Sequence, residues 1–196
     1  MSADEHPRAR LGPALLLAAA GMGLAPLPVP AAGPDGAAEA EAPAPADREA
    51  LFAALAAAAT EAEAREIEGA LWEFWLTAPD PEAQALLDRA LDRRRWGDLE
   101  AAIEALDQLI AGWPDYAEGW NQRATVRFLR GEDDLSLADV AETLRREPRH
   151  FGALAGKALI LIRQGRPAEA QLVLIEAVRI DPWLRERSLL QPGSDL

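Results

Sequence analysis

The sequence predicts an all-α fold in which antiparallel helix pairs stack one on the next into a superhelix. The first observation behind it is an internal period. Pro114, Pro148 and Pro182 are spaced by 34 residues, as are Gly97, Gly131 and Gly165, and as are Ala90, Ala124 and Ala158. A fixed period with a proline break and a midway glycine reads as helix, tight turn, helix, break. The second observation is packing at that same period. Leu86, Trp120 and Leu154 each precede the register alanine by four residues, so a large and a small residue share one helix face. The third is composition: Ala, Leu, Glu and Arg dominate, and β-branched residues are too few for a sheet.

In chain order, residues 1–31 read as a secretory signal peptide. Arg8 and Arg10 precede a charge-free run from Leu11 to Pro34, and Val29-Pro30-Ala31 offers small residues for cleavage after Ala31. An uncleaved inner-membrane anchor is the alternative, although Pro13, Pro26, Pro28 and Pro30 oppose one continuous helix. Residues 32–46 (AGPDGAAEAEAPAPA) hold only small, acidic and proline side chains, so a disordered linker is expected there. Residues 47–80 form a helical pair. Asp47–Ala59 carries Leu51, Phe52 and Leu55 on one side. A capping box at Thr60–Glu63 then opens a second helix with Ile67, Leu71, Phe74, Trp75 and Ala78 in a stripe. Trp72 and Leu76 lie off that stripe and require a second surface. The pair is expected to cap the first repeat unit.

Residues 83–184 divide into three units: 83–116, 117–150 and 151–184. Their second helices carry matching stripes: Ala102, Leu106 and Leu109; Ser136, Val140 and Thr143; Ala170, Leu174 and Ala177. Acidic residues cluster at the starts of those helices (Asp98, Glu100, Glu132, Asp133, Asp134 and Glu169), where they complement the helix dipole. Residues 185–196 form a short C-terminal cap and tail.

These units resemble the tetratricopeptide repeat (TPR), which has the same length, a bulky then a small residue in its first helix, a turn glycine, and a terminal proline. The whole chain is similar to small exported bacterial TPR proteins with an N-terminal helical pair. The resemblance implies a non-enzymatic protein-binding scaffold. Two units depart from it: Arg93 and Arg127 stand where the family places a large apolar residue, with Phe128 as the expected compensation, while Leu161 keeps the pattern. The lysines and asparagines of carboxylate-clamp TPR domains are absent too, since Leu87, Leu91, Gln122, Gly152 and Gly156 hold the comparable places.

The chemistry inventory points away from catalysis. Cysteine is absent, which removes disulfides, thiolate metal sites and thiol nucleophiles. The two histidines, His6 and His150, have no nucleophile or metal partner in sequence. Glu132-Asp133-Asp134 lacks the alternation and glycine of a calcium loop, so it reads as helix-start acids. Acidic residues number 33 against 20 basic, and the net charge of −13 opposes nucleic-acid binding. No catalytic residue, metal, cofactor or small-molecule substrate is therefore expected. Trp75 and Trp120 fall on core stripes, and Trp96, Trp113 and Trp183 fall at helix ends, where such rings seal corners.

First helices of stacked pairs line a concave face. By helical phase the groove residues are Leu87, Leu91, Arg94 and Arg95; Asn121, Thr125, Phe128 and Leu129; and Leu159, Ile162 and Arg163. An apolar floor with arginines at one margin suits a peptide or helix of a partner protein carrying carboxylates. The expected function is protein binding in this groove, in the bacterial periplasm, with membrane contact only through an uncleaved N-terminus. Self-assembly, or a fixed subunit contact in an envelope complex, is the alternative.

Overall fold

The computed structural model describes residues 45–193. The expected signal peptide or anchor at 1–31 and the expected linker up to residue 44 lie outside the described residues. So do the last three residues of the tail. Among the described residues eight α-helices run in order: α1 Pro45–Ala57, α2 Glu61–Leu76, α3 Pro81–Arg95, α4 Leu99–Gly112, α5 Ala117–Leu129, α6 Asp133–Arg146, α7 Phe151–Arg163 and α8 Pro167–Ile180, followed by a 3-10 helix over Arg185–Leu189. Consecutive helices pack as antiparallel pairs, α3 with α4, α5 with α6 and α7 with α8, and each pair stacks on the next. Among the described residues no helix is long and apolar enough to cross a membrane.

The 34-residue period works through backbone geometry. Gly97, Gly131 and Gly165 all sit at φ between 75° and 78°, in the left-handed region. Each donates to the carbonyl three residues back, and the next residue donates to the carbonyl five back. Asp98 thus reaches Arg93, Glu132 reaches Arg127 and Arg166 reaches Leu161, all at 2.9 Å. That double closure ends the first helix and reverses the chain without using a side chain. The second helix then starts on an acid or a proline: Asp98 Oδ1 accepts from the Ala101 N–H, and Pro167 occupies the first turn of α8.

Apolar stripes fill the space between pairs. Ala83, Leu87, Ala90, Ala102, Ala105, Leu106, Leu109 and Val126 form one cluster over α3, α4 and α5. Ala124, Val140, Ala153 and Ile160 bridge α5, α6 and α7. The largest cluster unites α7 and α8 with Phe52, Leu55, Ala64, Leu71 and Trp75 of the N-terminal pair.

That last cluster corrects the expected placement of the N-terminal pair. It covers α7–α8, at the far end of the stack, and meets the α3–α4 cluster through Leu76, Ala78 and the Tyr116 OH bond to the Trp75 carbonyl. Trp72 and Leu76 do find the second surface they require, Trp72 against Phe151 of α7 and Leu76 against α3–α4. Polar contacts fix the placement. Arg48 Nη1 donates to Glu147 Oε2 at 2.8 Å, Arg149 pairs with Glu49, and Trp183 Nε1 donates to the Ala58 carbonyl at 3.0 Å. Among the described residues no helical pair follows α7–α8, whose apolar face is taken by the chain's own N-terminal helices.

Three further expectations change. Arg127 is compensated by buried Asp139, which Arg123 also grips through Nε at 3.0 Å and Nη2 at 2.8 Å, and not by Phe128. An ion cluster thus replaces an apolar contact between α5 and α6. Trp120 is only half-buried: the Arg123 and Arg146 guanidinium carbons lie 4.9 and 4.6 Å from its ring, and its indole N–H donates to the Pro114 carbonyl. Trp96 seals nothing, being 83% exposed.

Leu106→Ala is expected to cost about 2–5 kcal/mol, because the side chain is fully buried between stacked helices. Trp120→Ala should cost only about 1–2 kcal/mol, the worth of two cation–π contacts. Urea unfolding of both variants measures the contrast.

Candidate functional site

The helix starts at Tyr116 and His150 bring polar side chains together at the ends of α5 and α7. His150 is the N-cap of α7, and its Nδ1 accepts the Ala153 N–H at 3.1 Å. With Nδ1 accepting, the ring proton sits on Nε2 and is donated to Glu118 Oε2 at 2.8 Å. Glu118, 1% exposed, also accepts from Asn121 Nδ2 at 3.1 Å and from Gln122 Nε2. Gln122 in turn accepts from Arg94 Nη1 at 2.6 Å. Burial lowers the Arg94 pKa, and the Glu118 charge opposes that shift. Trp75 lies flat on the imidazole, with ring centroids 4.0 Å apart and an interplanar angle of 11°, and Trp72 meets it edge-on at 5.4 Å. The cluster has no nucleophile; its hydrogen bonds are spent on holding α3, α5 and α7 together, and the tryptophan rings add α2.

Two concavities flank this junction. A narrow cleft between α5 and α7 is lined by Asn121, Thr125, Phe128 and Leu129 on one side and by Gly152 and Gly156 on the other, with about 30 Å³ of free space. A Cβ on Gly156 would meet open space, whereas one on Gly152 would stand 2.6 Å from Trp72. Glycine at 152 is thus what lets the Trp72 ring approach α7. The second, an open cavity of about 550 Å³, lies where α2 passes the α4–α5 junction, with Arg48, Phe74, Trp113, Tyr116 and Arg146 among its walls. Tyr116 OH donates to the Trp75 carbonyl at 2.6 Å, and burial pushes the Tyr116 phenol well above its usual range.

The structure distributes the expected groove residues unevenly. Asn121, Thr125, Phe128 and Leu129 line the narrow cleft. Leu87 is fully buried in the α3–α4–α5 core and cannot face a groove, and Leu159, 6% exposed, is core as well. Leu91 and Ile162 are half-buried against the α3–α4 and α7–α8 clusters. The arginine margin is largely spent inside the chain. Besides the Arg94 bond to Gln122, Arg163 Nε donates to Asp133 Oδ2 at 2.9 Å, and its guanidinium covers Phe128 at 3.7 Å. Arg95 is the most exposed of the three and lies 3.9 Å from Asp92. The Glu118–His150 pair escapes sequence reasoning because it forms only when the starts of α5 and α7 meet, and the 550 Å³ cavity because it depends on where α2 lands.

Helical pairs stacked with this period, turn and small-residue packing make the chain tetratricopeptide-repeat-like. Comparison with known proteins agrees at the level of sequence. A segment of 78 residues is 47% identical to a protein of Rhizobium etli named TPR repeat-containing protein, spanning 40% of this chain and 37% of that one. The matched segment thus covers well under half of that relative's length. The crystal structure of MamA protein is similar over 74% of this chain and 77% of its own, with 20% identity and a TM-score of 0.49. No family model matches the sequence.

His150→Ala is expected to cost about 3 kcal/mol or more, because it strips a donor from a buried carboxylate and uncaps α7. Adding Glu118→Gln should recover part of that loss in denaturant unfolding. Gly156→Ala should stabilise the chain by up to about 1 kcal/mol, since its Cβ meets nothing and glycine is a poor helix former.

Proposed function

We propose that this protein is a non-enzymatic protein–protein interaction scaffold, and that a segment of its partner docks across α5 and α7. The observation that carries the reading is the narrow cleft. Phe128 and the 38%-exposed Leu129 stand beside Gly156, where the helix presents no side chain. An apolar side chain of a partner helix or extended segment can seat over the glycine, while Asn121 and Thr125 border it with polar groups. Proteins built of tetratricopeptide repeats generally bind other proteins, which supports the same reading. With Arg94 and Arg163 engaged internally, the partner is held by shape and apolar contact more than by its carboxylates. Residence in the bacterial envelope is part of the proposal, supported by the charge-free stretch Leu11–Pro34 behind Arg8 and Arg10.

A second reading is self-assembly or a fixed subunit contact. It draws support from Trp96 and Leu172, which are 83% and 69% exposed. Light scattering across a wide concentration range decides it, because a mass that stays monomeric removes this reading.

The groove reading is tested by affinity capture from a native envelope fraction, comparing the normal chain with Gly156→Leu. The leucine fills the cleft from a position with open space around it, so folding is preserved, and circular dichroism checks that. A protein retained by the normal chain and lost by the variant is the expected result. Equal retention by both would place the binding surface elsewhere.

A further inference from the structure

Among the described residues, four side-chain polar atoms are buried without a hydrogen-bond partner: Arg48 Nε, Trp75 Nε1, Asp181 Oδ2 and Glu186 Oε1. All four lie along one seam, where the N-terminal pair meets the rest of the chain. Arg48 and Trp75 belong to α1 and α2. Asp181 and Glu186 follow α8 and face Arg65 and Glu68 of α2. Buried unpaired groups are rare in folded proteins and each weakens the contact that buries it. Their concentration in one seam marks the place where this fold opens most readily. The covalent link is short, Thr77–Asp80 between α2 and α3, and few groups bridge the two sides beside it: Leu76 and Ala78 pack on the α3–α4 cluster, and Tyr116 OH donates to the Trp75 carbonyl.

We infer that the N-terminal helical pair is a detachable cover over α7–α8, held by a latch at Asp181, Glu68 and Arg65 that loosens as pH rises. Four carboxylates share this corner: Glu61, Glu68, Asp181 and Glu186. Arg65 Nη1 donates to Glu68 at 2.5 and 2.7 Å, while Nη2 serves Glu61 and the Trp183 carbonyl, each at 3.0 Å. Asp181, fully buried, receives only the Trp183 N–H at 2.9 Å and stands against Glu68. Two facing carboxylates have no donor between them unless one holds a proton. From α2 the site meets Glu61, Arg65 and Glu68. From the 3-10 helix come Arg185, Glu186 and Arg187, the last 3.9 Å from Glu61.

Burial, then the Glu68 charge, pushes the Asp181 pKa from its ordinary 3.8 up to about 7. Burial raises Glu186 in the same direction. Undocking returns Asp181 to water and to its ordinary value, so the docked form binds the extra proton. Docking is therefore strongest at low pH and weakens as pH climbs through the window between the two values. Opening bares the α7–α8 face now covered by Phe52, Leu71, Trp72 and Trp75.

Native-state hydrogen exchange on the full chain tests this, using protection factors corrected for the chemical exchange rate. Amides of α2 should be less protected than those of α5 and α6, and their opening constant should rise about tenfold between pH 6 and pH 8 while α5 and α6 change less. In Asp181→Asn, which keeps an oxygen for the Trp183 N–H, the α2 response to pH should flatten, and Glu68→Gln provides an independent variant. Protection of α2 equal to that of α5 and α6 at both pH values overturns the detachable cover. A pH response that survives in both variants overturns the latch.

Discussion

Trp75 stacked on His150 ties together more of this molecule than any other contact. The indole belongs to α2 and the imidazole to the start of α7. One ring nitrogen of His150 caps α7, and the other reaches Glu118 at the start of α5. Three helices distant in sequence are thus fixed by one planar ring that uses both of its nitrogens and a face. Because Nδ1 accepts from the backbone, only one tautomer satisfies the site. Because Glu118 is buried, it needs every donor it is given. The starts of α5 and α7 cannot slide apart without leaving a charged group dry and unpaired, whereas α2 meets the imidazole through ring stacking.

Placement of the N-terminal pair follows from that junction. Gly152 leaves room for Trp72, Phe151 receives both tryptophans, and the apolar side of α1 then meets α7–α8. The cover closes the exposed end of the stack, yet it carries the poorest polar satisfaction among the described residues. The α3–α6 part of the stack is different in kind. Its turns are closed by backbone bonds, and its buried carboxylates are answered: Asp139 is gripped by two arginines, and Glu118 accepts from His150, Asn121 and Gln122. A well-satisfied stack and a poorly satisfied cover give the chain two levels of local stability.

The polar groups around the groove illustrate how tertiary contacts consume apparent binding chemistry. Arg94, Arg95 and Arg163 share a margin in helical phase, but a guanidinium on a helix end reaches several ångströms and takes the nearest acceptor. Those acceptors are Gln122 of the next pair for Arg94 and Asp133 of the preceding pair for Arg163. What is left for recognition is mostly shape: an apolar edge at Phe128 and Leu129, and a helix surface without side chains at Gly156.

The sequence by itself determined the repeating part of this protein. Glycine at 97, 131 and 165 is required by backbone dihedrals, and the alanines and leucines of the stripes pack against neighbours one period away, so a linear pattern suffices to read them. The capping box at Thr60 was equally legible, since Thr60 Oγ1 and Glu63 satisfy backbone groups within four residues. Tertiary structure alone decided where the N-terminal pair lands, that Leu87 is core, that Asp139 answers Arg127, and that His150 and Glu118 form a buried pair. Each of these depends on which surfaces meet across many tens of residues. An amphipathic helix specifies that one face must be buried, but the partner with the best-fitting free surface is chosen only when the whole stack exists.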